Sequence, residues 1–136
     1  MADILVVDDD RDLAAALAEV LEDAGHTVRV AHDGWGGLKA LDERLPDLVL
    51  LDIEMPSLDG PGMAHQMFVR DVGRDKIPIL LVSAFMGLPA VARRIGTPYS
   101  APKPCALDRL LRMVDRALVE KKPPEPRFEE PPARSQ

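Results

Sequence analysis

Two rhythms of apolar and polar positions take turns along this chain. Short unbroken apolar runs, Ile4-Leu-Val-Val7, Leu48-Val-Leu-Leu51 and Ile77-Pro-Ile-Leu-Leu-Val82, read as strands buried on both faces. Between the first two, Leu13, Ala16, Leu17, Val20, Leu21 and Ala24 recur at helical spacing, the stripe of a helix packed on a sheet, and Gly25 closes it. Residues 27–31 form a short strand with Val28 and Val30 on one face, and 34–44 a second helix. Gly36 and Gly37 weaken that helix by about 1 kcal/mol each relative to Ala. A third helix runs from Asp59 or Gly60 to about Arg70, with Met63, Met67 and Phe68 inward as gap-filling core. Residues 88–95 make a short fourth helix closed by Gly96. The two prolines in Thr97-Pro-Tyr-Ser-Ala-Pro102 restrict that stretch to an edge strand or barely a strand at all. Leu107, Leu110, Leu111, Val114 and Leu118 then mark a strong last helix to about Glu120. Strands that alternate with helices throughout predict an α/β fold built on a parallel sheet.

The run beyond the last helix breaks this pattern. Residues 121–136 hold five prolines, several acids and one aromatic, too little apolar surface to offset ordering, so a flexible Pro-rich tail is expected after a single domain of residues 1–120. No output domain fits in 16 residues, so a stand-alone module is expected. The overall composition, 46% apolar and 29% charged, is that of a globular domain. A net charge of -6 argues against a nucleic-acid-binding surface. No run approaches the roughly 18 apolar residues of a membrane span, and no secretory leader stands at the N-terminus. With one cysteine, Cys105, there is no internal disulfide; a cytoplasmic protein without membrane contact is expected.

Chemistry gathers where the strands stop. The first apolar run ends on Asp8, Asp9 and Asp10, the third strand on Asp52 ahead of Ile53-Glu54-Met55-Pro56, the fourth on Ser83, and the fifth is followed by Lys103. Ligands of open α/β sheets collect outside the carboxyl ends of strands. If the first and third strands are neighbours, about 4.8 Å apart, their carboxylates converge and repel, and a compensating cation resolves the conflict. Mg²⁺, held by one or two carboxylates plus waters and phosphate oxygens, suits so small a cluster. Helix capping explains Asp10 or Asp9 but not Asp52, which follows a strand. A surface position for Lys103 is the plainer alternative, yet a buried Lys needs a charge partner and the acids supply one. Together, a nucleophilic acid, a metal-binding pair, a hydroxyl and an ammonium are the parts that accept and hold a phosphoryl group. His26, His32 and His65 show no ligand spacing, Cys105 reads as a small packed residue, and Trp35 as a helix anchor or a surface contact.

These residues resemble the receiver domain of bacterial two-component response regulators over residues 2 to about 119. The resemblance is carried by Val-Val-Asp8-Asp9, by Leu-Leu-Asp52-Ile-Glu-Met-Pro56 with Asp59-Gly60, by Val82-Ser83-Ala84 and by Lys103-Pro104. It implies a three-layer, doubly wound flavodoxin-like (βα)5 fold with strand order 2-1-3-4-5. It further implies that Asp52 is the phosphoacceptor, fed by a sensor histidine kinase or a histidine phosphotransfer protein. Asp9 would bind Mg²⁺ directly and Asp8 through water, with Asp52 and the backbone carbonyl of Glu54 completing the ligands. Ser83 and Lys103 would contact the phosphoryl oxygens, and the Lys103-Pro104 bond would be cis. By the same analogy Glu54 and Phe85 flank the site and tune phosphoryl lifetime, while Ser83 and Tyr99 stand for the switch pair. Tyr99 lies one position before the usual aromatic place, which Ser100 takes, and the Ser83-to-Lys103 interval is short for the family.

The resulting expectation is a signalling module, not an enzyme. It docks on its kinase and on a downstream target through the face of the fourth helix, fifth strand and last helix, with phosphorylation-dependent homodimerisation open. Two other readings stand beside it. A Mg²⁺-dependent aspartyl-phosphate phosphohydrolase would carry a second Asp where Glu54 stands, and a phosphorylation-independent pseudo-receiver would not need the full Asp8, Asp9, Asp52, Ser83 and Lys103 set.

Overall fold

A computed structural model describes residues 2–69 and 76–126. The chain alternates strand and helix through β1 (Asp3–Val7), α1 (Arg11–Asp23), β2 (Thr27–Ala31), α2 (Gly34–Glu43), β3 (Leu48–Leu51), α3 (Gly60–Val69), β4 (Ile79–Ser83), α4 (Leu88–Ile95), β5 (Tyr99–Pro102) and α5 (Leu107–Glu120). All four strand pairings are parallel, and the sheet order is β2-β1-β3-β4-β5. This is the expected flavodoxin-like arrangement, with β5 on an edge where its prolines leave no central ladder unpaired. Arg70, the expected end of α3, lies outside the described residues.

The apolar runs are buried on both faces because helices cover both. Leu5 and Val7 of β1, Val49 and Leu51 of β3, and Ile79 and Leu81 of β4 pack with Leu38 and Leu41 of α2, Met63 and Met67 of α3, and Leu88 and Ile95 of α4. The alternate residues, Ile4, Val6, Leu48, Leu50, Leu80 and Val82, pack instead with Leu17 and Leu21 of α1 and Leu110 and Val114 of α5. Every second side chain thus serves a different core, which is the period of a strand sandwiched between helix layers. Met63 and Met67 are core residues as expected, fully enclosed at 0% exposure.

Local chemistry sets the helix ends. Asp10 caps α1, its carboxylate accepting the Leu13 N–H at 3.1 Å, so this one acid of the Asp8–Asp10 trio does serve as a cap. Asp33 caps α2 in the same way through the Gly36 N–H at 2.7 Å. α4 carries no side-chain cap at its start but ends on Gly96, whose φ of 80° permits a left-handed stop.

One expectation needs correction. Lys121–Pro126 do not leave the domain as a flexible tail: Pro124 is buried, and the Glu125 N–H donates to the Gly96 carbonyl at 3.1 Å. Composition misleads here because prolines lose little chain entropy on ordering, so a short Pro-rich segment docks at low cost. Residues 127–136 of the expected tail lie outside the described residues.

Candidate functional site

The site is built by register. Val7 of β1 stands opposite Leu51 of β3, so the next residues, Asp8 and Asp52, leave neighbouring strands side by side. Backbone bonds hold both: the Asp8 N–H donates to the Ala31 carbonyl and the Asp52 N–H to the Val7 carbonyl, each at 3.0 Å. Asp8 and Asp52 are buried, Asp9 is exposed, and one carboxylate oxygen from each lies within 4.8 Å of the others. Lys103, leaving the end of β5, reaches over the sheet so that its Nζ donates to Asp8 Oδ2 at 2.8 Å and to Asp52 Oδ2 at 3.4 Å. Its backbone N–H donates to the Ser83 carbonyl at 3.0 Å, which ties the lysine loop to the end of β4. The Lys103-Pro104 peptide bond is cis, as the resemblance implied.

Burial and charge compete at this cluster. Desolvation raises the Asp8 pKa above the ordinary carboxylate value, and the nearby Asp52 charge adds to the rise; the Lys103 ammonium and the Asp10 N–H offset part of it. For Lys103, burial works against the charged form, but the Asp8 hydrogen bond and the two acid charges outweigh it, so its pKa is raised. Three carboxylates against one ammonium leave two negative charges in surplus when all are ionised. A hard, all-oxygen donor set with that surplus fits a divalent cation such as Mg²⁺.

Around the acids, the loops shape an open cleft of about 630 Å³ whose walls include Asp9, Glu54, Met55, Pro56 and Phe85. Glu54 and Phe85 therefore share this cleft with Asp9. Ser83 is buried at the end of β4, and its Oγ accepts the Phe85 N–H at 3.2 Å, which orients the hydroxyl and the loop together. Tyr99 is not part of this cleft. It opens β5, the strand end remote from Lys103, and its buried ring packs with the α1 and α5 core. Its hydroxyl donates to Glu120 at 2.9 Å. Burial, then this bond to a carboxylate, raise the Tyr99 pKa. Trp35 is 53% exposed and stands at the surface.

Two contributors were given no role at the site by the sequence reading, although Gly60 belongs to the Asp59-Gly60 motif that carries the resemblance. His32 Nδ1 donates to the Asp8 carbonyl at 3.1 Å, which places the ring proton on Nδ1 and braces the acid loop. Its only signal was its position one residue past β2, beside the end of β1. Gly60 is the other: its N–H donates to the Ile53 carbonyl at 2.9 Å, and a Cβ there would stand 2.2 Å from the Asp52 carbonyl oxygen. The β3–α3 turn closes only on a residue without a side chain.

Comparison with known proteins gives this geometry a family. The response regulator receiver domain matches residues 4–115. The chain belongs to that family. This receiver is 39% identical over 127 residues to the response regulator MprA of Mycobacterium avium strain 104, covering 90% of this chain and 53% of MprA. The MprA of Mycobacterium tuberculosis strain H37Rv is equally similar, at 39% over 127 residues, 90% and 52%. The chain thus spans about half the length of these curated relatives. Among solved structures, the receiver domain of NtrX from Brucella abortus superposes with a TM-score of 0.77 at 34% identity, over 86% of this chain and 98% of that one. A CheY-like receiver from Methanospirillum hungatei JF-1 shares the fold at TM-score 0.80 and 23% identity, covering 89% and 96%. The family is that of two-component signalling, in which receiver domains accept phosphoryl groups. Among the described residues no helix is long and apolar enough to cross a membrane.

Proposed function

We propose that this receiver takes a phosphoryl group onto Asp52 from the phosphohistidine of a sensor histidine kinase or a histidine phosphotransfer protein, in a Mg²⁺-dependent reaction, and signals by altered docking on a downstream protein. The observation that carries this reading is the meeting of Asp8, Asp9 and Asp52 within 4.8 Å beneath the Lys103 ammonium. An Asp52 carboxylate oxygen attacks phosphorus, the phosphorus–nitrogen bond breaks, and the imidazole nitrogen leaves with the electron pair. An acyl phosphate results. Lys103 draws the Asp52 carboxylate into place and then faces the incoming phosphoryl oxygens, and the Ser83 hydroxyl donates to another. Asp9 and Asp8, with Asp52 and the Glu54 carbonyl, would hold Mg²⁺. When bound, it would neutralise charge on the phosphoryl oxygens. The domain acts as a switch and not as an enzyme with turnover, because Glu54 stands where a phosphohydrolase would place its second Asp. One cysteine and a kinase donor suit the cytoplasm.

The direct test is intact mass after incubation with acetyl phosphate and Mg²⁺. A gain of about 80 Da, one phosphoryl group, that EDTA prevents supports the reading. No gain, with a control receiver labelled alongside, overturns it.

The raised Asp8 pKa gives Mg²⁺ binding a definite pH dependence. A carboxyl whose folded pKa lies above its unfolded value stabilises the fold below that unfolded value, and loses this contribution as pH rises through the folded pKa. Metal-free protein therefore loses stability as Asp8 ionises, whereas Mg²⁺ requires the ionised form. At roughly 100 times its dissociation constant, Mg²⁺ adds about 2.7 kcal/mol, or about 10 °C in Tm for a domain of this size. Thermal melts should show this gain near neutral pH and a shrinking one as pH falls toward about 4. A pH-independent gain would remove Asp8 from the metal site.

Phe85 and Glu54 set phosphoryl lifetime in this reading, Phe85 by crowding the attacking water and Glu54 by charge. Phe85 is 39% exposed on the wall of the cleft, so truncation opens the approach without emptying the core. Phe85→Ala is expected to speed loss of the 80 Da label severalfold, about 80 Da being the mass followed by time-resolved mass spectrometry. Unchanged decay would free Phe85 of this role.

A further inference from the structure

After α5 the chain turns back on itself. Lys121 takes a φ of 52°, a left-handed turn that returns the following residues to the α4–β5 connection. The Lys122 N–H donates to the Tyr99 hydroxyl at 3.4 Å, so the segment and the end of α5 hold the same phenol from two sides. Pro124 is buried, and the Glu125 N–H donates to the Gly96 carbonyl at 3.1 Å. The approach is so close that a Cβ on Gly96 would stand 1.7 Å from the Glu125 carbonyl oxygen. Beside this contact a cleft of about 560 Å³ stays open, with Lys122, Pro123 and Glu125 on one side and Ala92, Thr97 and Pro98 on the other.

Three of these six residues, Pro123, Pro124 and Pro126, are proline. A segment of this kind is stiff and makes no hydrogen bonds of its own, so it binds by inserting proline rings into a groove and giving its few N–H groups to the receiving surface. Here one ring is enclosed, and the intervening N–H meets the carbonyl that terminates α4. Tethering supplies an effective concentration in the millimolar range, so even a weak intrinsic affinity keeps the segment docked.

We propose that the α4–β5 connection, Gly96 to Tyr99, is a binding site for a proline-rich segment, and that Lys121–Pro126 occupies it in cis. The segment is then an internal competitor: a protein that reaches this face with proline-rich chain of its own displaces it, and releases the Tyr99 hydroxyl from Lys122.

The test compares the full chain with Pro124→Asp/Glu125→Pro, which charges the enclosed ring position and deletes the N–H given to Gly96. Both residues stand apart from Asp52, so Mg²⁺-dependent phosphoryl uptake serves as the control for folding. Amide exchange at Gly96, Thr97 and Tyr99 is expected to quicken severalfold in the variant. A capped peptide of residues 121–126, added at millimolar concentration, is expected to shift the Gly96 and Thr97 amide resonances of the variant and not those of the wild type. Equal exchange in both proteins, or a peptide that shifts neither, overturns the site; a peptide that shifts both equally overturns occupancy in cis. Should the double variant lose phosphoryl uptake, Glu125→Pro alone, which removes one N–H, is read by the same criteria.

Discussion

Replacing Asp52 with Asn is expected to abolish phosphoryl uptake, with no transfer of the label to Asp8 or Asp9. Neighbouring acids rescue a lost nucleophile only when they can reach the same trajectory, and the geometry denies this to both. Asp8 is committed on two sides, Oδ1 to the Asp10 N–H at 2.9 Å and Oδ2 to Lys103 at 2.8 Å, and burial raises its pKa. Asp9 is exposed one residue farther along the loop. Asp52 alone combines a backbone fixed to β1 with a single, longer contact of 3.4 Å to Lys103. It is the acid with freedom to attack. Intact mass with acetyl phosphate should show no gain for Asp52→Asn, while Lys103→Met keeps the acceptor but loses the positioned cation. Loss of one such charge-stabilising donor slows the reaction by about 10²–10³-fold. Labelling of Asp52→Asn at the wild-type rate would move the acceptor to another acid.

Why so much of this site could be read without coordinates follows from how parallel sheets are made. A strand buried on both faces must be apolar throughout, so the first ionisable residue after it marks the sheet's end; Asp8, Asp52 and Ser83 were visible as such interruptions. What the string of letters lacked was the register that sets Val7 against Leu51, because neighbours in the sheet are distant in sequence. Tyr99 shows the limit more sharply. The resemblance paired it with Ser83 as a switch residue. Register instead puts Leu80 opposite it, near the start of β4, and burial against α5 ties its hydroxyl to Glu120. Glu120 in turn has its pKa lowered by that bond and by Arg116. Lys121–Pro126 were misread for a related reason: composition measures what a segment could bury alone, whereas Pro124 is enclosed by a surface supplied by the rest of the domain.

Gly60→Ala should be among the most disruptive single-methyl changes in the chain, although helix propensity alone favours it by about 1 kcal/mol. Gly60 is the first residue of α3, and the turn from Asp52 to Asp59 folds back until it touches the strand that began it. An added methyl would meet the Asp52 carbonyl oxygen at 2.2 Å and the Ile53 Cα at 2.9 Å. Both obstacles are backbone. A flexible side chain could swing aside, but here either α3 must lift or the peptide after Asp52 must rotate. Overpacking of this kind costs up to about 3 kcal/mol, and the loss falls on the segment that carries the phosphoacceptor. Gly36→Ala is the matched control, since its added methyl meets only the Asp33 carboxylate at 3.2 Å and the Ala31 Cβ at 3.5 Å. Urea titrations followed by circular dichroism should place Gly60→Ala well below the wild type and Gly36→Ala close to it or above. Phosphoryl uptake by Gly60→Ala should fall as well, even under conditions where it is folded, because the rotated peptide re-aims Asp52 away from Lys103. If Gly60→Ala gained the stability that propensity predicts and labelled at the wild-type rate, the close approach of α3 to the acceptor strand would be excluded as the element that positions Asp52.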